Sequence, residues 1–337
     1  MGRFWMRAAV FLLAMAGSGG IDANAETLDY RLKWLFNASV AGDLYADVHG
    51  FFAAEGLTVN LKPGGRERDA IRELEMGQTD FGVASADQAI RARAKGAPVV
   101  VLAQLFQVNP LQWIQRADRP PIRELADLKG RTVGVTYGGN DEIIMRTLLD
   151  RAGLTERDVR FFSVGYDYTP FFRDRVDLWP VYRNAQGPIL AERLRAEGED
   201  SRFFRPTDFG IRFVANSVIT SERNLARSPE IAERFVRALM AGWRAAMDPE
   251  NAEKTLAMLA RFDRDTAPDI LRTQLDMTRE MVLPDAETIM GAIDRDAWTQ
   301  TERILRERNQ IDRPVDVESI LRPARSVRRA ETERPAP

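Results

Sequence analysis

The 337-residue chain contains no cysteine and one histidine, His49. No disulfide can staple the fold, even in an oxidising compartment where such bonds persist. Thiol nucleophiles and Cys-built metal sites are excluded, and one imidazole is too few for a His-based metal centre. An excess of one charge is lacking too. Lys and Arg total 48 against 50 Asp and Glu, a net −2, without the basic face that a nucleic acid would require. Beyond residue 25 no stretch is apolar enough for the roughly 20 residues of a spanning helix. There is no internal repeat, and nothing in the composition asks for a metal or other cofactor.

What is present begins with an export signal. Arg3 and Arg7 precede the apolar run Ala8-Ala9-Val10-Phe11-Leu12-Leu13-Ala14-Met15-Ala16-Gly17, and Ala23-Asn24-Ala25 is a small-x-small cleavage site. Residues 1–25 therefore read as a cleaved secretory signal, with the mature chain starting at Glu26 in the periplasm. Without cysteine, a lipid tether through an N-terminal Cys is excluded. The remainder is long enough for two domains of ordinary size.

Strand-like and helix-like segments then alternate. Strands are expected over residues 28–35, 57–61, 81–84 and 99–106, with helices over 44–52, 66–76 and 86–95 between them. The proline break Arg119-Pro120-Pro121 precedes a restart of the pattern, with strands over 132–135 and 159–164 and helices over 141–152 and 187–197. A strand over 213–219 returns to the first unit. After Ser228-Pro229, an N-cap followed by Pro at the first helical position, the chain is helical: a long amphipathic helix, then 250–261, 268–281 and 285–309. The expectation is an α/β fold of two lobes, with mixed, mostly parallel sheets and helices on both faces. The first lobe takes residues 26–116 and 214–321, the second 117–213, and 322–337 form a disordered tail. Two crossings, near 116–118 and 211–215, would make a hinge.

In open α/β sheets ligands sit beyond the carboxyl ends of the strands. The first such end offers Trp34, Asn37 and Ser39: a stacking face, an amide and a hydroxyl. Gly65, in Pro63-Gly64-Gly65, exposes N–H groups before a helix. Ser85 and Ala86 open the next helix, where Ser85 serves either a ligand oxygen or the helix as its N-cap. Gln107 follows the strand over 99–106. In the second lobe the turn Thr136-Tyr137-Gly138-Gly139-Asn140-Asp141-Glu142 brings Tyr137, Gly139, Asn140 and Glu142 to a helix start. Trp179, Tyr182 and Arg183 cluster in Asp177-Leu178-Trp179-Pro180-Val181-Tyr182-Arg183-Asn184, with Arg183 facing either a ligand acid or Asp177. Asp208 borders the return crossing. The aromatics of the second lobe suggest a flat ring held by stacking, although about half of them are expected in the core.

Two segments, Gly50-Phe51-Phe52-Ala53-Ala54-Glu55-Gly56-Leu57-Thr58-Val59 and Gly77-Gln78-Thr79-Asp80-Phe81-Gly82-Val83-Ala84-Ser85, closely resemble the opening domain of periplasmic solute-binding proteins of ABC importers. The similarity is to the branch of sulfonate, nitrate and thiamine-pyrimidine binders, and spans roughly residues 28–309. The resemblance implies the two-lobed type 2 periplasmic binding fold. It also implies a small-molecule ligand, a permease partner in the inner membrane, and a monomer. The pyrimidine binders carry W-x-P-N-x-x-H-x-G at the first strand end. Trp34, Asn37 and Gly42 match it, while Phe36 stands for the proline and Val40 for the histidine. Gly139 to Glu142 resembles the family's G-x-x-E turn, whose acid contacts the pyrimidine amine in some members. The first ligand expectation is therefore a thiamine-pyrimidine precursor, with an aliphatic sulfonate, a nitrate-like anion or a flavin as alternatives. A ligand-loaded partner for a membrane sensor would use the same lobes. Fungal pyrimidine synthases share the fold but use a histidine and a cysteine-rich motif. The absent cysteines and the position of His49, outside the pocket loop, make the expectation a non-enzyme.

Overall fold

The computed structural model describes residues 26–65, 68–165 and 167–332; the expected export signal, residues 1–25, lies outside them. The first lobe begins with β1 (Glu26–Arg31), α1 (Ala41–Val48), β2 (Leu57–Lys62), β3 (Phe81–Ala84), α2 (Ala86–Ala94) and β4 (Val99–Gln104). The second contains β5 (Leu111–Arg116), β6 (Thr132–Val135), α3 (Asn140–Arg151), β7 (Arg160–Ser163), β8 (Trp179–Tyr182), α4 (Gln186–Ala196) and β9 (Ser201–Phe204). The chain returns in β10 (Ser217–Ser221). It ends in α5 (Pro229–Met247), α6 (Ala252–Phe262), α7 (Pro268–Val282), α8 (Arg295–Glu307) and α9 (Arg325–Thr332).

The first sheet has the order β2-β1-β3-β10-β4. β1 runs parallel to β2 and β3, and β10 is antiparallel to β3 and β4. In β2, Leu57 and Val59 point inward and Thr58 and Asn60 outward, the period-2 pattern of a strand with one buried face. β4 is buried along its whole length, as a strand covered by helices on both faces must be. In the second lobe β5 lies between β8 and β9, antiparallel to both, and β6 pairs parallel with β7. A parallel bridge from Val133 to Leu178 joins the two groups into one surface.

α5 closes the first lobe. Its Phe235 ring stacks on Phe81 at 3.9 Å and meets Tyr30 edge-on at 5.0 Å. Trp243, on the same face, is fully buried. It fits because Gly42 lacks a side chain: a Cβ there would lie 2.0 Å from the indole. Gly242 is equally constrained, since its Cβ would fall 2.4 Å from that of Ala46 on α1.

Several boundaries differ from the expectation. β5 pairs only with second-lobe strands, so residues 111–116 belong to that lobe and the first crossing runs over 105–110. The second crossing, 211–216, is tied to it: Asn109 Nδ2 donates to the Phe213 carbonyl at 2.6 Å, and Leu105 N to the Asn216 carbonyl at 2.9 Å. The helix expected over 66–76 is Ala70–Glu75, capped by Asp69. That expected over 285–309 begins only at Arg295, after Asp294 as its cap; Gly291, at φ 88°, instead bridges Gln104 of β4. The segment expected as a disordered tail contains α9, with Ala324 and Val327 buried in the first-lobe core. Ala324 and Val327, three positions apart, face the core while Ala330 is exposed, a pattern that composition alone does not reveal.

α7 and α8 reach across to the second lobe. Thr278 of α7 accepts from Asn184 Nδ2 at 3.0 Å, and Gln274 donates to the Ala185 carbonyl at 2.8 Å. From α8, Gln300 Oε1 accepts from Arg212 N of the second crossing at 2.7 Å, and its Nε2 donates to the Gly210 carbonyl of the second lobe at 3.2 Å. Among the described residues no helix is long and apolar enough to cross a membrane.

Candidate functional site

The parallel strands of the first lobe end on one side, and the chain there supplies the first wall. β1 runs into Lys33 and Trp34, both half-buried. The Trp34 carbonyl accepts from Gly64 N at 2.8 Å, which pins this loop to the one after β2. β3 runs into Ser85 and α2. The Ser85 backbone N–H donates to Gln88 Oε1 at 3.3 Å in a capping box, and the Ser85 hydroxyl donates to Asp87 Oδ1 at 2.5 Å. Asp87 is buried and paired with Arg91 one turn on. Lys33 Nζ reaches this cluster, 3.4 Å from Ser85 Oγ and bonded to Gln88 Oε1. Burial is the first cause that lowers the Lys33 pKa; the Asp87 and Asp69 charges oppose it, and Arg91 adds to it.

The second wall comes from the ends of β6 and β8. Asp141 Oδ2 accepts from Thr136 N at 2.6 Å and holds the turn before α3; burial raises its pKa. Tyr137 on this turn is 56% exposed. Tyr182, the last residue of β8, exposes 36% of its surface, yet burial is the first cause raising its hydroxyl to about 12. The Asp141 charge adds to this shift, a hydrogen bond with Asn140 opposes it, and the Asp87 charge adds to it. The Asp87 charge is the last of the causes, so the Tyr182 hydroxyl lies within electrostatic range of the Ser85–Asp87 cluster at the end of β3.

The remaining candidates are placed differently. Trp179 is 1% exposed and packs against Phe171 and Tyr168 in the second-lobe core; its ring offers no face to a ligand. The Ala86 N–H is spent on the Val214 carbonyl at 3.2 Å. Gln107 sits in the first crossing, its amide donating to the carbonyls of Gln104 and Ala292 at 3.1 and 3.0 Å. Arg183 pairs with neither Asp177 nor an open cleft but with Glu280 of α7, while Asp177 accepts from Thr132 N at 2.7 Å. Asp208 is exposed, pairs with Arg205 at 3.0 Å, and lies beside Phe209, whose carbonyl accepts from Arg151. That is the far end of α3 from Asn140, about 18 Å along a 12-residue helix. Gly65 forms an isolated bridge with Arg68, and the helix that follows begins only at Ala70.

Glu142 accepts from Gly138 N at 2.7 Å and from two nitrogens of Arg146, at 2.9 and 2.7 Å. Both oxygens are thus committed to the turn. Asn37 caps the turn Ala38–Val40, its Oδ1 accepting from the Ser39 N–H at 2.9 Å and its hydroxyl at 2.5 Å. Gly139 is the N-cap of α3, beside Asn140. Ser85 fills the capping role at the end of β3.

Lys33 and Asp87 are the residues that sequence reasoning passed over. A signal existed: of 48 basic residues only five are lysines, namely Lys33, Lys62, Lys95, Lys129 and Lys254. In a chain that otherwise uses Arg, a lysine directly after a strand stands out. His49 packs against Tyr45 at the C-terminal end of α1, ring centroids 4.0 Å apart and planes tilted by 48°. Among the described residues no group of three or more His, Asp or Glu is placed to hold a metal.

Residues 37–252, more than half of the chain, match the family described as NMT1/THI5 like. The chain belongs to the NMT1/THI5-like family. A formylaminopyrimidine-binding protein of Halalkalibacterium halodurans is 26% identical over 322 residues, covering 93% of this chain and 95% of the relative. The riboflavin-binding protein RibY of Chloroflexus aurantiacus is 26% identical over 302 residues, covering 86% and 83%. A 4-amino-5-hydroxymethyl-2-methylpyrimidine phosphate synthase of Legionella pneumophila is 26% identical over 289 residues, covering 85% and 88%. In structure, the periplasmic aliphatic sulphonate binding protein SsuA of Escherichia coli superposes with a TM-score of 0.70 at 18% identity, covering 89% of this chain and 92% of that one. The fold of this family member is thus that of the periplasmic binding proteins, as the resemblance of its opening segments implied.

Proposed function

We propose that this NMT1/THI5-like protein is the periplasmic solute-binding component of an ABC importer, and that its lobes close on a small heteroaromatic solute. The observation that carries the reading is the facing pair of walls. Ser85, Lys33 and Trp34 lie at the strand ends of one lobe, Tyr182, Asn140 and Tyr137 at those of the other, and two tied crossings lie between the lobes. Tyr182 and Trp34, with Tyr137 at the rim, supply ring faces for stacking, and the polar groups between them give orientation. The similarity to pyrimidine- and riboflavin-binding proteins supports a flat nitrogenous ring, with a thiamine-pyrimidine precursor first. An aliphatic sulfonate is the second reading. Arg183, the expected anion partner, is held by Glu280, which weighs against it.

The synthase reading is the weaker one. The chain has no cysteine, and His49 is occupied by Tyr45 away from the strand ends. We place the protein in the periplasm, with Glu26 as its first residue, as a monomer that delivers its solute to a permease. N-terminal sequencing of the exported protein tests the cleavage site, and light scattering the monomer.

Thermal unfolding of the chain from Glu26 to Pro337 tests the ligand class against aminopyrimidines, formylaminopyrimidine, riboflavin, alkanesulfonates and nitrate. A solute at about a hundred times its dissociation constant adds roughly 2.7 kcal/mol, a rise of several degrees. A rise with pyrimidines or flavin is expected; a rise with sulfonates or nitrate alone would overturn the heteroaromatic reading.

A further inference from the structure

Lys33 is the one lysine whose ammonium reaches the strand-end cluster of Ser85 and Gln88. Lys95, Lys129 and Lys254 are on the surface, and Lys62 pairs with Asp29 at 2.8 Å. Lys33 is different in its partners. Its contacts are a neutral hydroxyl and a neutral amide oxygen, and no carboxylate among the described residues lies within the 4 Å of an ion pair. The nearby acids are spent elsewhere. Asp87 is held by Arg91 and by the Ser85 hydroxyl, and Asp69 caps the helix Ala70–Glu75.

A cation drawn out of water without a counter-ion is costly unless something else satisfies it. An ammonium has three donors, and two neutral acceptors leave room for a third. At the ends of β6 and β8 the Asn140 amide is bonded to the Tyr182 oxygen, which leaves the Tyr182 O–H as a donor. An unpaired cation is complementary to an acceptor, not to another amine.

We propose that Lys33 is the specificity-determining residue of the cleft, donating to an acceptor oxygen carried by the bound solute. This rests on the reading of the cleft as the solute site. The oxygen can belong to a formyl or ring carbonyl of a heterocycle, or to a sulfonate. A bare aminopyrimidine lacks it. The protein should therefore prefer a formylated aminopyrimidine over the same amine without its formyl group.

The test is calorimetric titration of the wild type, Lys33→Met, Lys33→Gln and the surface control Lys62→Met with formylaminopyrimidine, its deformylated amine, riboflavin and an alkanesulfonate. A hydrogen bond from a charged donor corresponds to about 10- to 100-fold in affinity. The wild type should bind an acceptor-bearing solute. Lys33→Met and Lys33→Gln should lose that factor and with it the preference over the amine, while Lys62→Met should behave as wild type. Circular dichroism checks that the variants fold. A second readout needs no ligand: with the lysines dimethylated by carbon-13 reagents, the Lys33 signal should titrate below the other four. Wild-type affinity in Lys33→Met, or a Lys33 signal that titrates with the surface lysines, overturns the assignment of Lys33 alone. Failure of the wild type to bind any of the four solutes overturns the solute-site reading and this proposal with it. Binding of formylaminopyrimidine, riboflavin or the sulfonate in the wild type identifies which source of the acceptor oxygen is used.

Discussion

Asp43 on α1 is buried under α5, where it accepts a hydrogen bond from the Tyr30 hydroxyl at 2.6 Å. Burial raises its carboxyl to about 7, against the pull of that hydrogen bond; in the unfolded chain it would titrate near about 3.9. Between these values the folded state holds a proton that the unfolded state has released. Stability from this group is therefore present at low pH and lost as pH rises through about 7. Each pH unit well inside the window corresponds to about 1.4 kcal/mol; with the group half titrated at pH 7, lowering the pH from 7 to 5 stabilises the fold by about 2 kcal/mol through Asp43 alone. For about 300 ordered residues the unfolding entropy is about 0.6 kcal/mol/K, which makes this about 3–4 °C in Tm. Asp43→Asn keeps an acceptor for Tyr30 and removes the charge. Other carboxylates titrate in the same range, so the quantity to follow is the Tm of Asp43→Asn minus that of the wild type, by calorimetry from pH 5 to pH 8. It should rise with pH by about 4 °C. A difference that is flat with pH, or that falls, would refute the burial argument.

Gly242→Ala would place a Cβ 2.4 Å from that of Ala46 and 2.9 Å from its backbone nitrogen; α1 and α5 must separate, and denaturant unfolding should show a loss of about 1–3 kcal/mol. Unchanged stability would mean that the two helices are not in such close contact. Trp179→Ala empties the second-lobe core and should cost about 3–5 kcal/mol, while the fraction that remains folded binds solute as before. Tyr182→Phe is the converse: its stability should stay within about 1 kcal/mol, and affinity by calorimetry should fall by about tenfold. A loss of affinity in Trp179→Ala without loss of stability would reverse the two assignments.

The two-lobed architecture was legible because strand and helix periods alternate and because two glycine-bounded segments resemble a known family. The first crossing was misplaced by the Arg119-Pro120-Pro121 break. Proline marks where a segment ends, but which sheet β5 joins is decided by its pairing with β8 and β9, a non-local fact. The tail failed for a related reason, since Ala324 and Val327 matter only once α5 offers them a surface. At the proposed site, strand-end logic pointed to Trp34, Ser85, Asn140 and Tyr182. It misjudged Trp179, which shares β8 with Tyr182 and differs in depth and exposure, and Arg183, whose partner Glu280 lies 97 positions on. Lys33 was missed because an isolated lysine has many surface uses, and only the folded strand ends bring it to Ser85 and Gln88.

Where the solute sits decides the matter. A crystal structure of the chain from Glu26, grown with whichever solute raises Tm most, would locate it. The account predicts a ring between the lobes, with an acceptor oxygen within hydrogen-bond distance of Lys33 Nζ and a polar edge at the Tyr182 hydroxyl. A solute bound elsewhere, for example in the outer groove of about 570 Å³ between α4 and α7 that Glu192, Arg195 and Thr273 help to line, with the cleft holding only water, would contradict it.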